Sequence, residues 1–331
     1  MSGLDSRVFA PYEFTREVLE LSQRYGYEPS IVYRLVEAVG VSEAERVLEA
    51  NEKPLPETIR CNDYLVDCSE LEARLEAKGF ELRRIEWLPH GYEVSSAPIS
   101  VGATHEYLLG YYYVQDPGSM LAGYLLDPKP GELIIDMCAA PGGKATQILQ
   151  LTRDKARLIA VEKSRLRMRS LRSHLQRMGF KSFVLVRADA LSLPEELKAD
   201  RILLDAPSSG EGVIRKDPSR KKRGRLEDIR RMHELQVRLL EKALRLLREG
   251  GVVLYAACST AVEEGEYVVH KVLESRSDAT VVRLEHPVLS RGVTSYRGVE
   301  LDPRLAHCGR LWPHIQGYEG FFVCMLARER R

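Results

Sequence analysis

Residues 136–147, DMCAAPGGKATQ, constrain this chain more than any other stretch. They follow an apolar run, Leu133, Ile134 and Ile135, and lead into a helix-like run through Ile148, Leu149 and Leu151. A strand, a Gly-rich turn and a helix in that order bring backbone N–H groups and a helix N-terminus up to a ligand. Two familiar turns fail on spacing. A dinucleotide fingerprint needs G-x-G-x-x-G, and only Gly142 and Gly143 are present. A phosphate-cradling P-loop needs glycine where Cys138 stands and serine or threonine where Ala145 stands. What remains is a tight turn before a helix, with an acid, Glu162, at the end of the next strand. A carboxylate there can accept both hydroxyls of a ribose. Taken alone, the stretch also suits a structural turn beside an incidental acid.

From Val114 onward the pattern alternates. Strands read at 132–138, 156–163, 183–189, 201–207 and 252–258, and helices at 142–152, 164–179 and 225–249, the last ending at Gly250-Gly251. This predicts an α/β fold, a Rossmann-like and mostly parallel sheet with helices on both faces, closed by an antiparallel last strand from Phe321. Right-handed crossovers place ligands at the carboxyl ends of such strands. Asp136, Glu162, Asp189, Asp205 and Cys258 all fall there.

The front of the chain reads differently. Residues 1–55 have helical spacing, with Ser42 and Glu45 as a capping box, and Pro54-Leu55-Pro56 marks a break. Residues 56–112 read as a small α/β module, with strands at 58–60, 85–88 and 92–94 and a helix capped by Ser69 and ended by Gly79. The expected domains are therefore 1–55, 56–112 and 113–331.

The 331 residues are 44% hydrophobic, enough for a full core, and no apolar run reaches the roughly 18 residues of a membrane span. No signal peptide is evident at the N-terminus. The six cysteines form no C-x-x-C pair, so no metal site is expected, and their scatter fits a reducing cytoplasm. Two asparagines among abundant Arg and Glu lean toward a thermophilic source. Net charge is only +1, but its distribution is uneven. Residues 163–187 hold many Lys and Arg and no acid, and a second basic run covers 215–231. Such runs are usually solvated helix faces; beside ligand-binding strand ends they also suit a phosphate-binding rim.

The string DMCAAPGGK resembles the S-adenosylmethionine turn of the Nol/Nop/Sun (NSUN, RsmB-like) family of RNA cytosine-5 methyltransferases, and within it the archaeal tRNA-type members. The likeness continues through VQDPGSM (114–120), DAPSSGEGVIRKDP (205–218), YAACS (255–259) and GFF (320–322), about two thirds of the chain. It implies S-adenosyl-L-methionine as cofactor, an RNA partner with tRNA favoured over rRNA, and a monomer. It makes residues 56–112 an RNA-recognition-like module, although no aromatic string for base stacking is present.

The implied chemistry is demanding. Cytosine C5 is a poor nucleophile until another nucleophile adds at C6. The resemblance makes Cys258 that nucleophile, with Ala257 where the family has threonine. Lys144 or the cofactor sulfonium would lower its pKa. Asp205 would hold cytosine N3 and N4 and border the cofactor. Cys138, Ala139, Ala140, Pro141, Gly142, Gly143 and Lys144 would wrap the methionine and ribose, Glu162 the ribose hydroxyls, and Asp189 the adenine amino group. Arg167 matches a family arginine and equally suits a solvated helix face. Ser208 stands where the family carries a second cysteine associated with product release, and a hydroxyl is far less acidic than a thiol. DNA cytosine-5 enzymes attack from that Pro-Cys position, so Ser208 favours the RNA family. Arg215 and Lys216 are expected at phosphates flanking a flipped cytosine. EEGEYVV (263–269) resembles a family EENE helix, with Gly265 for asparagine. A cofactor- and RNA-binding assembly factor without turnover is the alternative function.

Overall fold

The computed structural model describes residues 3–329, which form two compact units. One comprises residues 56–205 and 245–254; the other comprises the residues up to 55, 206–244 and those from 255 onward.

The second unit begins with four helices, α1 (Gly3–Val8), α2 (Arg16–Tyr25), α3 (Pro29–Val39) and α4 (Val41–Asn51). Thr15 caps α2 by accepting from Val18 N, and Pro29 opens α3. The box expected at Ser42 does not form. Gly40 is the N-cap of α4, which puts Ser42 inside the first turn. Ile31, Leu35 and Leu48 pack with Ile214 and Trp312. Buried Arg34 donates to Gly224 O and pairs with Glu211. These long-range contacts make the helical front part of a larger unit.

The first unit opens with β1 (Glu57–Cys61), α5 (Cys68–Glu76), β2 (Glu81–Arg84), β3 (Gly91–Ser96), α6 (His105–Leu108) and β4 (Tyr112–Val114). They form an antiparallel sheet in the order β2-β3-β1-β4, the β-α-β-β-α-β arrangement of ferredoxin-like modules. Two local expectations shift. Residues 85–88 are a turn, with Leu88 N donating to Ile85 O, and the strand lies just before them. Asp67 rather than Ser69 caps α5, accepting from Ser69 N.

The chain continues through α7 (Pro117–Leu126), β5 (Leu133–Asp136), α8 (Gly143–Leu151), β6 (Arg157–Val161), α9 (Arg165–Arg177), β7 (Phe183–Val186) and β8 (Ala199–Asp205). β8, β5, β6 and β7 run parallel in that order. Fully buried Ile134, Ile135, Ala160, Ile202 and Leu203 form their core. α10 (Leu226–Leu246) leads directly into β9 (Leu247–Ala257), which neighbours β8. The helix expected to reach 249 therefore stops at 246. Gly250, at φ +76°, bends the strand instead of ending the helix.

The second unit is completed by α11 (Glu266–Ser275), β10 (Ala279–Val282), β11 (Ser290–Arg291), a short β12 (Ser295–Tyr296) and β13 (Val299–Glu300) ladder, β14 (Gly309–Leu311), α12 (Pro313–Gln316) and β15 (Phe321–Arg328). β15 pairs antiparallel with β10 and β14, as expected of the last strand.

Four of the six cysteines form disulfides, Cys61–Cys68 and Cys308–Cys324. This corrects the reading of the cysteines as scattered and unlinked. Cysteines meet when strands and helices set their Cβ atoms face to face, which spacing does not reveal. Intracellular disulfides are characteristic of hyperthermophiles, otherwise of oxidising compartments. Among the described residues, no helix is long and apolar enough to cross a membrane.

Candidate active site

In the first unit the acids stand at the carboxyl ends of the parallel strands, as the topology requires. Asp136 ends β5, Glu162 follows β6, Asp189 lies beyond β7 and Asp205 ends β8. The turn after Asp136 is moored on both sides, with Met137 N donating to Leu203 O and Ala139 N to Val161 O. Ala140–Pro141 is cis, and Gly142 at φ +119° adopts a conformation that side chains disfavour. A Cβ on Gly142 would also lie 3.2 Å from Leu171 in α9, so the turn and that helix pack closely.

Lys144 is buried in the first turn of α8. Its Nζ donates to Asp205 Oδ2 at 2.7 Å and to Ser119 Oγ at 3.0 Å. Burial, reinforced by the Asp205 charge and opposed by Lys144, pushes the Asp136 carboxyl up to about 7. Asp136 Oδ1 accepts from Cys138 N at 3.3 Å. Burial and the surrounding acids push the Cys138 thiol up, so it stays protonated and unreactive. Glu162 is buried, accepts from Ser164 N at 2.7 Å and lies 3.3 Å from Arg167 Nη1. Arg167 also donates to Ala140 O, so it holds the turn against the Glu162 strand end while remaining half exposed. Asp189 is exposed and accepts from Leu191 N.

These residues fit the adenosylmethionine that the resemblance implies. Asp136 Oδ2 is a buried acceptor with no hydrogen-bond partner among the described residues. Unpaired buried acceptors are costly unless a ligand completes them. The cationic ligand would meet Asp136, Glu162 and Asp205, a donor-poor and acidic set. No cluster able to hold a metal occurs among the described residues.

Sequence reasoning missed Arg60. It lies on β1, fully buried, and its guanidinium donates to Gly143 O at 2.8 Å, Thr146 Oγ1 at 2.9 Å and Gln150 Oε1 at 2.9 Å, and also to Gln115. Burial lowers its pKa to about 10. Its hydrogen-bond acceptors are neutral, and they include the carbonyl that opens α8. The available signal was an arginine between apolar Ile59 and Cys61, matched by glutamines at 115, 147 and 150.

The second unit holds the cysteine loop. Cys258 follows β9, is half-buried and lies outside both disulfides. Its carbonyl accepts from Gly212 N at 3.2 Å, and Ala206 N donates to Ala256 O at 2.9 Å. Glu264, buried, joins the loops of Ser208 and Cys258 through their neighbours. Its Oε1 accepts from Ser209 N at 2.7 Å, and its Oε2 accepts from both Ser209 Oγ and Ser259 Oγ at 2.5 Å. Gln236 adds bonds to Pro207 O at 2.8 Å and to Glu264 at 3.2 Å. This gives the EEGE segment its role. A Cβ on Gly265 would lie 2.9 Å from Phe322 of the closing GFF, so the two segments pack closely there.

Arg215 is placed otherwise than expected. Its guanidinium donates to Lys53 O, Pro54 O, Gly317 O and Tyr318 O, all within the second unit. It is a staple of main-chain carbonyls, whereas Lys216 is exposed. Much of the second basic run is similarly engaged. Arg220 donates to Ser209 O, Lys221 pairs with Glu52 and Arg231 with Asp228.

Residues 123–327 match the family described as 16S rRNA methyltransferase RsmB/F, and residues 30–117 match the N-terminal domain of 16S rRNA methyltransferase RsmF. The chain is 34% identical over 324 residues to the 25S rRNA (cytosine-C(5))-methyltransferase nop2 of Schizosaccharomyces pombe, covering 96% of this chain and 53% of that protein. It is 35% identical over 318 residues to the 28S rRNA (cytosine-C(5))-methyltransferase of Mus musculus, covering 93% of this chain and 40% of that one. The chain thus spans about half, or less, of these curated relatives. A crystal structure of a methyltransferase homolog protein from Pyrococcus horikoshii superimposes with a TM-score of 0.85 at 34% identity, over 96% of this chain and 100% of that one. With a match that spans the parallel strands, the Gly-Gly turn and the cysteine strand together, the chain belongs to the RsmB/F methyltransferase family.

Proposed function

We propose that the protein is an S-adenosylmethionine-dependent RNA cytosine-5 methyltransferase acting through Cys258. The observation that carries this reading is the Glu264 carboxylate, which holds the Ser209 and Ser259 hydroxyls and so fixes the loops bearing Ser208 and Cys258. A nucleophile needs such fixing to meet a ring carbon in line.

In this reading the Cys258 thiolate adds to cytosine C6 and the ring electrons shift to C5. S-adenosylmethionine supplies the methyl group to C5. Asp205, held by Lys144, accepts a hydrogen bond from the N4 amino group. Loss of the C5 proton then returns the electron pair to the ring and expels Cys258 as thiolate. Ser208 is too weak an acid or base to match a thiol in that last step, so water takes the proton. Cys138 to Lys144, Glu162, Arg167 and Asp189 hold or position the cofactor, and Lys216 meets backbone phosphate.

The front of the chain matches an N-terminal domain named for 16S rRNA, and the relatives at 34–35% identity are named for rRNA as well. The proposal therefore takes rRNA as the first substrate to test and tRNA as the second. The assay is incubation of unmodified rRNA or tRNA with labelled S-adenosylmethionine, followed by digestion. Product 5-methylcytidine from wild type and none from Cys258→Ala is expected. Labelled product from Cys258→Ala would overturn the covalent route. Cofactor and RNA binding without repeated turnover would favour the assembly-factor reading, for which Ser208 is the supporting feature.

A further inference from the structure

We propose that the groove between α9 and β7 is a second RNA contact, a binding site for the sugar-phosphate backbone of the substrate away from the target base. The proposal rests on the RNA reading above.

The groove has a volume of about 710 Å3 and is lined by Arg165, Arg169, Arg172 and Arg187 around Met168 and Leu185. The first three arginines recur at i, i+4 and i+7, so they share one face of α9 across two turns, roughly 10.5 Å at 1.5 Å per residue. Arg187 follows β7, the edge strand of the parallel set, and completes the other wall. Among the described residues none of these four guanidinium groups pairs with a carboxylate, and residues 163–187 contain no acid at all.

That arrangement opposes helix stability. Arg165 sits in the first turn, where the helix dipole disfavours cations, and no acid of that turn compensates it. Arg165–Arg169 and Arg169–Arg172 are like-charge neighbours, each costing a few tenths of a kcal/mol. Three exposed arginines on other helices are neutralised within a turn: Arg16 by Glu20, Arg46 by Glu43 and Arg74 by Glu70. An ordinary solvated face would be built that way. Guarding the β7 edge against strand pairing is the competing role, but that calls for charge on the strand, and three of the four arginines are on the helix.

Guanidinium forks suit phosphate oxygens, and a row of them without acids suits a repeating anion more than a single one. Exposed Leu166 offers apolar surface on the same helix for ribose or base. The position is also apt. About 200° around α9 from the arginine row, Leu171 and His174 pack on Gly142, and Arg167 reaches Ala140 O. One helix thus supports the methyl-donor turn on one face and presents the arginine row on the other.

The test is fluorescence anisotropy with a labelled cytosine-containing single-stranded RNA of about 20 nucleotides, from about 50 to 300 mM KCl. Wild type is compared with a triple variant, Arg165→Gln, Arg169→Gln and Arg172→Gln, and with a control carrying Arg16→Gln, Arg46→Gln and Arg74→Gln. The groove variant is expected to flatten the slope of log K against log salt by about 2, at roughly 0.7 per phosphate contact, and to weaken binding about tenfold or more at 100 mM salt. Its S-adenosylmethionine affinity stays at the wild-type value, and its melting temperature does not fall, since the removed charges oppose the helix. An unchanged slope and affinity, or an equal change in the control, overturns the proposal. Retained RNA affinity with lost binding to polyglutamate also overturns it, in favour of an acidic protein partner. Wild type that methylates RNA while the groove variant matches it sinks the groove alone. Wild type that binds no RNA sinks both readings.

Discussion

Lys144 Nζ and Asp205 Oδ2 lie 2.7 Å apart, joining the first turn of α8 to the end of β8. The pair is the one positive charge hydrogen-bonded to Asp205 among the described contacts, and it stands beside protonatable Asp136. Replacing Lys144 by methionine keeps the bulk but leaves Asp205 facing Asp136 without a cation. Breaking one side of a largely buried pair costs about 3 kcal/mol. Lys144→Met is expected to lower the unfolding free energy by about that amount in urea titration, and to abolish methyl transfer. Wild-type stability in that variant would show that the ion pair does not organise the strand ends.

Asp136 gives a pH signature. Its carboxyl titrates near 7 in the fold against 3.8 for the ordinary group. A raised acid keeps its proton in the folded state, so its contribution to stability is full below about 4 and is lost as pH rises to about 7. The ligand-free melting temperature should therefore fall across that window more in wild type than in Asp136→Asn. A cationic methyl donor favours the ionised carboxylate, so its binding should release a proton near pH 7. Calorimetry in buffers of different ionisation enthalpy would detect it, and buffer-independent heats would refute the coupling.

Glu264 is predicted to position rather than react. Glu264→Gln retains the shape but replaces charge-assisted bonds to Ser209 and Ser259 with weaker ones, each worth about 1.5–3 kcal/mol when charged. The expected loss is about ten- to a hundredfold in kcat, with S-adenosylmethionine affinity unchanged. Glu264→Asp should recover part of that loss. A change confined to cofactor affinity would contradict the role.

Ser208 is predicted to slow the release step. A Ser208→Cys variant should shorten the life of the Cys258–RNA adduct, seen as a fainter shifted band on denaturing gels with labelled RNA. Equal adduct lifetimes in the two proteins would remove the idea.

Arg60 tests whether β1 supports the donor turn. Arg60→Met is expected to strand Gly143 O, Thr146 and Gln150 without their shared donor, costing about 1–3 kcal/mol for each acceptor left unpaired. S-adenosylmethionine affinity should weaken with it. Lost stability at full cofactor affinity would confine Arg60 to folding.

The sequence by itself determined the parallel strands, the acids at their ends, the Gly-Gly turn and the cysteine strand. Alternating periods and crossover handedness fix which strand tips share an edge, and local residue types fix what stands on them. Tertiary structure alone decided the rest. Arg60 reaches Gly143 and Glu264 reaches Ser209 because side chains remote in sequence were brought within 3 Å. Arg215 became a staple, whereas Arg165, Arg169 and Arg172 form no ion pair among the described residues, although both lie in basic runs that read alike. Whether a charge meets a carbonyl, a carboxylate or solvent depends on what packs against it, and a linear pattern does not carry that information.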